Sequence, residues 1–327
     1  MGKDPARLLL AVKHRPSVDA AVERDLPGVA AVYVEESGPG EWAPVEAALV
    51  GSMAREAGGW DPTTTPRLRF VQRVFAGVDD LPFDRFAPSV AIAGNVGGYA
   101  PFVAEHAVAL ALAATRTLVT AHAQVAAGTL RPAPDHRTLW HRSVAILGYG
   151  AIGRAIADRL RGFDCRIVAV NRKGEPAPGA DEALPASRLV EALAGAQVVF
   201  DARPLTTLTR GSIGAAELRA MPSDGILVNV GRAGTVDEQA LYQHLRAHPK
   251  FRAALDVWWG EEFATGAIRH RFPFASLPNV IGTPHSAGYA PDVEEYALRK
   301  AVANLVRFFA GEPPLHLIDR AEYVGLR

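Results

Sequence analysis

Three short apolar runs in the second half of the chain each lead into a polar residue of a type that does chemistry. The run 226–230 leads into Gly231-Arg232-Ala233-Gly234, and the run 253–257 is followed a few residues on by Glu261. The run 280–281 leads into Gly282-Thr283-Pro284-His285. An arginine can bridge a carboxylate and a neighbouring carbonyl oxygen, supplying charge where it develops during attack on that carbonyl. Histidine, with an ordinary pKa of about 6.5, exchanges a proton at the same oxygen near neutral pH. A carboxylate beside the histidine orients the ring and favours its charged form. Singly, each residue has a bland reading: a solvated loop arginine, a surface glutamate next to Glu262, a histidine ending a strand. Together at three strand ends they suit hydride reduction of a 2-oxo acid, where a proton must reach the oxygen as hydride reaches the carbon.

A fourth run carries the clearest motif. Val144-Ala145-Ile146-Leu147 reads as a strand, Gly148-Tyr149-Gly150-Ala151-Ile152-Gly153 is G-x-G-x-x-G, and an amphipathic helix pattern follows. Gly148 permits the tight turn, Gly150 lets a pyrophosphate approach the backbone, and Gly153 lets the helix pack on the strand. The helix start offers N–H groups and positive dipole to the anion. Such spacing alone often marks only a turn, but the flanking strand and helix make this a dinucleotide site. The next strand pattern ends in Asn171-Arg172-Lys173. Asn171 replaces the acid that would accept from a ribose 2′-hydroxyl, and Arg172 and Lys173 can pair with a 2′-phosphate. NADP is therefore expected in preference to NAD; an Arg172 stacked on adenine would suit NAD as well.

Those residues need a scaffold that brings strand ends together, and alternating β-branched runs and helical patterns describe one. Strand patterns at 8–12, 29–34, 68–75 and 89–93 precede a helix over about 102–127. Pro132 and Pro134 then sit in a polar connector reaching Arg142. A second series from Ser143 has strands at 144–147, 166–170, 197–200, 226–230, 253–257 and 279–281. Helices are expected near 151–162, 186–195, 214–221 and 237–247, the last with Asp237 as N-cap and Ala240 at the third helical position. The fold class is α/β: a doubly wound parallel Rossmann sheet plus a smaller flavodoxin-like α/β substrate domain. The expected boundaries are 1–100 with 291–327 for the substrate domain and 101–290 for the dinucleotide domain.

Composition narrows the function classes. The 327 residues suffice for two domains. Lysine plus arginine equals aspartate plus glutamate at 35 each, so nothing points to nucleic acid or an anionic membrane as partner. The single cysteine, Cys165, makes no intrachain disulfide, which suits a reducing, cytoplasmic setting. The apolar run 8–12 is too short for a signal-peptide core. The long apolar stretch 101–130 carries Glu105, His106, Arg116, His122 and Gln124, so it reads as a buried helix rather than a membrane span.

With these motifs in order, the chain resembles the D-isomer-specific 2-hydroxyacid dehydrogenase family over nearly its whole length, in particular its glyoxylate/hydroxypyruvate reductases. Phe75-Ala76-Gly77-Val78-Asp79 is similar to that family's substrate-domain turn, and Asn95 to Ala100 followed by Val103-Ala104-Glu105-His106 to its hinge. Pro204-Leu205-Thr206, Asn229 to Gly234, Ala254 to Val257 and Thr283-Pro284-His285 match further signatures. The resemblance implies Arg232 as the residue binding the substrate carboxylate and carbonyl, Glu261 as partner of the catalytic histidine, and His285 as general acid/base. It implies that N–H groups of Ala76 and Gly77 hold the substrate carboxylate. The cofactor-binding set is Gly148, Tyr149, Gly150, Ala151, Ile152, Gly153, Asn171, Arg172, Lys173, Pro204, Thr209, Val230, Gly231 and Asp256. It further implies a homodimer acting on a small 2-oxo or 2-hydroxy acid, with no metal.

Departures from the family pattern mark places to look. The usual D-V-F-x-x-E-P reads Asp256-Val257-Trp258-Trp259-Gly260-Glu261-Glu262, and 263–274 is basic through Arg269, His270 and Arg271. Trp258 and Trp259 either pack under the site or touch substrate. Arg203 precedes Pro204 where an apolar residue is common; it either reaches the adenosine side or lies on the surface. A formate dehydrogenase is disfavoured, because that branch pairs its histidine with glutamine and this chain offers Glu261. The alternatives are a dinucleotide-sensing corepressor and a phosphite-type dehydrogenase.

Overall fold

The first strands are short and almost wholly apolar, and a computed structural model of the chain, describing residues 7–130 and 135–325, shows why. Two compact units divide the chain. One comprises Met1–Tyr99, Phe263–Thr265 and Ala290–Arg327; the other comprises Ala100–Glu262 and Gly266–Tyr289.

In the first unit β1 (Arg7–Ala11), α1 (Pro16–Asp25), β2 (Ala30–Tyr33), α2 (Pro39–Trp42), β3 (Ala47–Val50), β4 (Phe70–Arg73) and β5 (Ala91–Ala93) follow in order. The strands form one parallel sheet ordered β2-β1-β3-β4-β5, the flavodoxin-like order. Both faces are covered, so alternate residues of β1 serve two cores. Leu8 and Leu10 pack with Val18 and Val22 of α1 and with Leu298, Val302 and Leu305 of the helix Val293–Phe309. Leu9 and Ala11 pack on the other face with Trp42, Trp60 and Phe83. The tail after Pro291 thus belongs to this unit. β3 was not expected: Ala47-Ala48-Leu49-Val50 is half alanine and only four residues long, and it becomes a strand by pairing with β1 and β4 on either side.

The second unit begins with α3 (Ala100–Thr115) and α4 (Leu118–Ala126). A single helix was expected here, and the two pieces are bent by 58°. Thr117 lies in the left-handed region at φ +48°. The end of α3 is fixed from outside: Arg252 donates to the carbonyls of Ala114 at 2.6 Å and Thr115 at 3.3 Å. The expected burial of 101–130 holds for α3 but not for α4, which has no buried residue. Among the described residues no single helix is long and apolar enough to cross a membrane. Pro132 and Pro134 lie outside the described residues.

There follow β6 (Ser143–Leu147), α5 (Ala151–Leu160), β7 (Arg166–Asn171), β8 (Glu182–Pro185), α6 (Leu189–Ala194), β9 (Val198–Asp201), α7 (Ala215–Ala220), β10 (Ile226–Asn229), α8 (Glu238–Ala247) and β11 (Arg252–Leu255). A two-stranded hairpin, β12 (Glu261–Glu262) and β13 (Ala267–Ile268), precedes β14 (Val280–Gly282). The large sheet is ordered β8-β7-β6-β9-β10-β11-β14 and parallel throughout, so the strand order reverses between β6 and β9. α6, α7 and α8 pack one face, while α3 and α5 pack together and α3 covers β10, β11 and β14. β8 was missed because it is a short, partly polar edge strand ending in proline. Asp237 does cap α8, accepting from the Ala240 N–H at 2.7 Å.

Candidate active site

The glycine loop has the geometry its sequence calls for. Gly148 sits at φ +85°, and a Cβ there would meet Arg203 Cγ at 2.9 Å. A Cβ on Gly153 would lie 2.3 Å from the Gly148 carbonyl oxygen, whereas one on Gly150 would meet nothing within 4 Å. Gly150 is the N-cap of α5 and supplies no side-chain cap, so the N–H groups of Ala151 and Ile152 are offered to an anion. The turn therefore fits a pyrophosphate: tight where backbone must pack, open where phosphate approaches. Tyr149 is buried, its hydroxyl donating to the Pro178 carbonyl at 3.0 Å.

At the end of β7 the Asn171 side chain builds a loop. Its Oδ1 accepts from the N–H groups of Lys173, Gly174 and Glu175 at 3.2, 2.7 and 3.0 Å, and its Nδ2 donates to the Glu175 carbonyl at 2.7 Å. Asn171 is thus the hub that shapes 171–175, and Arg172 and Lys173 are exposed on that loop.

The ends of β11 and β14 carry the acid/base candidates. The Asp256 carboxylate is buried and accepts from Thr283 Oγ1 at 2.7 Å and from the N–H groups of Ser286 and Ala287 at 2.8 and 3.0 Å. Burial pushes its pKa up, but these bonds and the nearby His106 outweigh it and hold the group below the usual carboxylate value. Asp256 thereby organises the 283–287 turn. His285 occupies the left-handed region at φ +52°, a strained setting for a non-glycine residue. Its N–H donates to the carbonyl of Asp256 at 2.7 Å and lies 3.0 Å from that of Thr283. The ring Nδ1 lies 2.9 Å from Glu261 Oε2, and Glu261 Oε1 accepts from the Trp258 N–H at 2.8 Å.

Both tryptophans pack. Trp258 is buried, its indole N–H donating to the Thr283 carbonyl at 2.8 Å; a Cβ on Gly282 would sit 2.4 Å from its ring. Trp259 donates to the Val236 carbonyl at 3.1 Å and stacks on Phe274 at 5.2 Å. In the basic segment, Arg269 pairs with Glu262 across the hairpin.

Arg232 follows β10, between the β9 and β11 ends. Its carbonyl is held by Asn229 Nδ2 at 3.1 Å and Thr235 Oγ1 at 2.8 Å, and its Nη1 donates to the Gly231 carbonyl at 2.9 Å. Asn229 Oδ1 accepts from the Gly231 N–H at 3.1 Å, and Val230 is buried. In the Pro204 loop, Thr209 Oγ1 donates to the Pro204 carbonyl at 2.6 Å and accepts from the Thr206 N–H at 2.8 Å.

Arg203 is not the surface residue that one of its two readings made it. Its side chain is 12% exposed, with Nε and Nη2 on the two oxygens of fully buried Asp201 at 2.9 and 2.7 Å and Nη1 on Ser212 Oγ at 2.9 Å. Burial works against the guanidinium, and Asp201 more than compensates, leaving its pKa raised. Sequence reasoning missed Asp201; the signal was an acid closing a strand pattern two residues before an unusual arginine.

In the first unit, Ala76 and Gly77 follow β4 in a turn whose close approach requires Gly94, where a Cβ would meet the Ala76 carbonyl oxygen at 2.7 Å. Buried Arg73, also missed, donates to the Gly77 carbonyl at 3.3 Å, to the Gly51 carbonyl and to Asp80 at 2.7 Å.

Residues 108–287 match the family model described as the NAD binding domain of D-isomer specific 2-hydroxyacid dehydrogenases. A glyoxylate reductase of Korarchaeum cryptofilum is 30% identical over 277 residues, covering 80% of this chain and 79% of the relative. A Pyrobaculum aerophilum structure described as a candidate formate dehydrogenase superposes with a TM-score of 0.83 at 31% identity, covering 97% of this chain and all of that one. A D-isomer specific 2-hydroxyacid dehydrogenase of Xanthobacter autotrophicus, solved with NADPH and MES, gives a TM-score of 0.80 at 27% identity over 97% and 98% of the two chains.

Proposed function

The chain belongs to the D-isomer-specific 2-hydroxyacid dehydrogenases and is an NAD(P)-dependent oxidoreductase, and from that premise we propose that it reduces a small 2-oxo acid with NADPH. The observation that carries the reading is the His285–Glu261 hydrogen bond of 2.9 Å, formed beyond β11 and β14, of which β11 neighbours the strand that leads into Arg232. Bound reduced nicotinamide supplies the hydride; the chain supplies the rest. Glu261 orients the ring through Nδ1, which leaves Nε2 to deliver the proton to the carbonyl oxygen. Arg232 binds the substrate carboxylate and polarises the carbonyl, its main chain fixed by Asn229 and Thr235.

The NADPH preference rests on the β7 loop, where Asn171 leaves no carboxylate to repel a 2′-phosphate and Arg172 and Lys173 are exposed. Glu261, a carboxylate, favours 2-oxo acids over formate. We further propose a homodimer, supported by the apolar exposed face of α4, and a cytoplasmic setting, supported by the single half-buried Cys165 whose thiol burial pushes up in pKa. The test is loss of reduced-nicotinamide absorbance with NADPH, and separately NADH, against glyoxylate, hydroxypyruvate and pyruvate. Turnover with NADPH ahead of NADH is expected. No turnover with either cofactor despite tight binding of one would point to an unusual substrate or a dinucleotide sensor.

A further inference from the structure

At the point where the strand order reverses, the sheet edge holds a charged pair that the catalytic reading does not use. Asp201 closes β9 and pairs in register with Leu147 on one side and Asn229 on the other. Those neighbours precede the glycine turn and the Arg232 turn. Asp201 is fully buried, and its two oxygens take Nε and Nη2 of Arg203. Oδ2 also accepts from Thr235 Oγ1 at 2.8 Å, and the same hydroxyl lies 2.8 Å from the Arg232 carbonyl. One hydroxyl proton is thus shared between the buried carboxylate and the main chain of Arg232. On its other side Arg203 forms the floor of both turns. Its Cα lies 3.1 Å from where a Cβ on Gly148 would stand, and its carbonyl oxygen 2.5 Å from one on Gly231.

We propose that Asp201 is a positioning residue: through Thr235 it sets the main chain that aims Arg232 at the substrate, and through Arg203 it supports the glycine turn. The inference rests on the reductase reading above. A buried ion pair is a poor source of stability, because desolvation offsets attraction, but it tolerates few arrangements and so defines one geometry. The two turns it joins have different ligands, which gives the arrangement a divided signature. The Thr235 link touches only the Arg232 turn, while Asp201 serves both.

The experiment compares Thr235→Val, Thr235→Ser and Asp201→Asn with wild type. It measures kcat and KM for the best 2-oxo acid, NADPH dissociation constants by fluorescence, and folding by circular dichroism. Thr235→Val should lower kcat/KM for the acid on the order of tenfold, the weight of one hydrogen bond, with NADPH affinity held within about twofold. Thr235→Ser keeps the hydroxyl and should recover most of the loss. Asp201→Asn should weaken both acid and NADPH. A folded Thr235→Val with wild-type constants, or a Thr235→Ser as impaired as Thr235→Val, would overturn the proposal. So would equal losses of acid and NADPH in Thr235→Val, which a general loosening of the sheet edge produces. Wild-type turnover is measured first; its absence overturns the reductase reading and this inference with it. Where the wild type turns over, the Thr235 results bear on the positioning role alone.

Discussion

In the proposed mechanism Arg232, Glu261 and His285 carry the chemistry, and His244 sets a pH limit. His285→Ala removes the proposed proton donor but touches nothing in the glycine turn. It should cost about a hundredfold or more in kcat, the usual weight of general acid/base catalysis, and leave NADPH affinity near wild type. Steady-state kinetics beside a binding titration separates the two; unchanged kcat would remove His285 from the mechanism. His244 belongs to folding instead. It stacks on His248 at 4.2 Å, its buried Nε2 has no hydrogen-bond partner, and burial pushes its pKa down to about 4. The folded value lies below the unfolded one of about 6.5, so the unfolded chain binds the extra proton between them. Stability contributed by neutral His244 is present above about pH 6.5 and lost as pH falls towards 4, on the order of 3 kcal/mol over the whole window. His14 has the opposite sign: hydrogen bonds that its ring donates to Asp19, then Glu36, raise its pKa, so its contribution is present at acid pH and lost as pH rises; it is exposed and the contribution is weak. Urea midpoints at pH 7 and pH 5 check the balance. Wild type should lose stability at pH 5, and His244→Phe should lose clearly less; equal losses would acquit His244.

At the scale of the element, the proposed NADPH preference rests on the loop after β7. Asn171 commits its side chain to the loop's own backbone, so in that proposal recognition falls to Arg172 and Lys173. An aspartate at 171 can accept the same three N–H bonds and loses only the donation to Glu175. Asn171→Asp with Arg172→Ala should therefore keep the fold and shift kcat/KM towards NADH, by about tenfold or more in the NADPH/NADH ratio. An unchanged ratio would place 2′-phosphate recognition elsewhere. The first helix of the second unit makes a similar point. Arg252 of β11 ends α3 by taking its last carbonyls, a partner 137 residues away that no local pattern could announce.

At the scale of the whole molecule, α4 is the one α-helix among the described residues with no buried side chain. Leu118, Val119 and Val125 are 53, 61 and 64% exposed, an apolar face that a monomer would leave wet. We expect sedimentation equilibrium to give a dimer, and Leu118→Lys with Val125→Lys to shift it to monomer with the circular dichroism spectrum retained. A monomeric wild type would set α4 aside as the contact.

Most of the architecture was legible in the sequence, because parallel strands buried on both faces must be apolar runs and their crossover helices must be amphipathic. So were the glycine turn and the Glu261–His285 pair, since backbone conformation and acid/base chemistry each admit few residue types. The short strands β3 and β8 were not, being made strands by their neighbours rather than by propensity. Nor was the role of Asp201–Arg203, whose further partners, Thr235 and Ser212, lie in other turns. Which polar residue is a ligand and which is a strut depends on burial and on what faces it across strands. Sequence order does not encode that distance; only tertiary packing turned Arg203 inward and brought Arg252 to the end of α3.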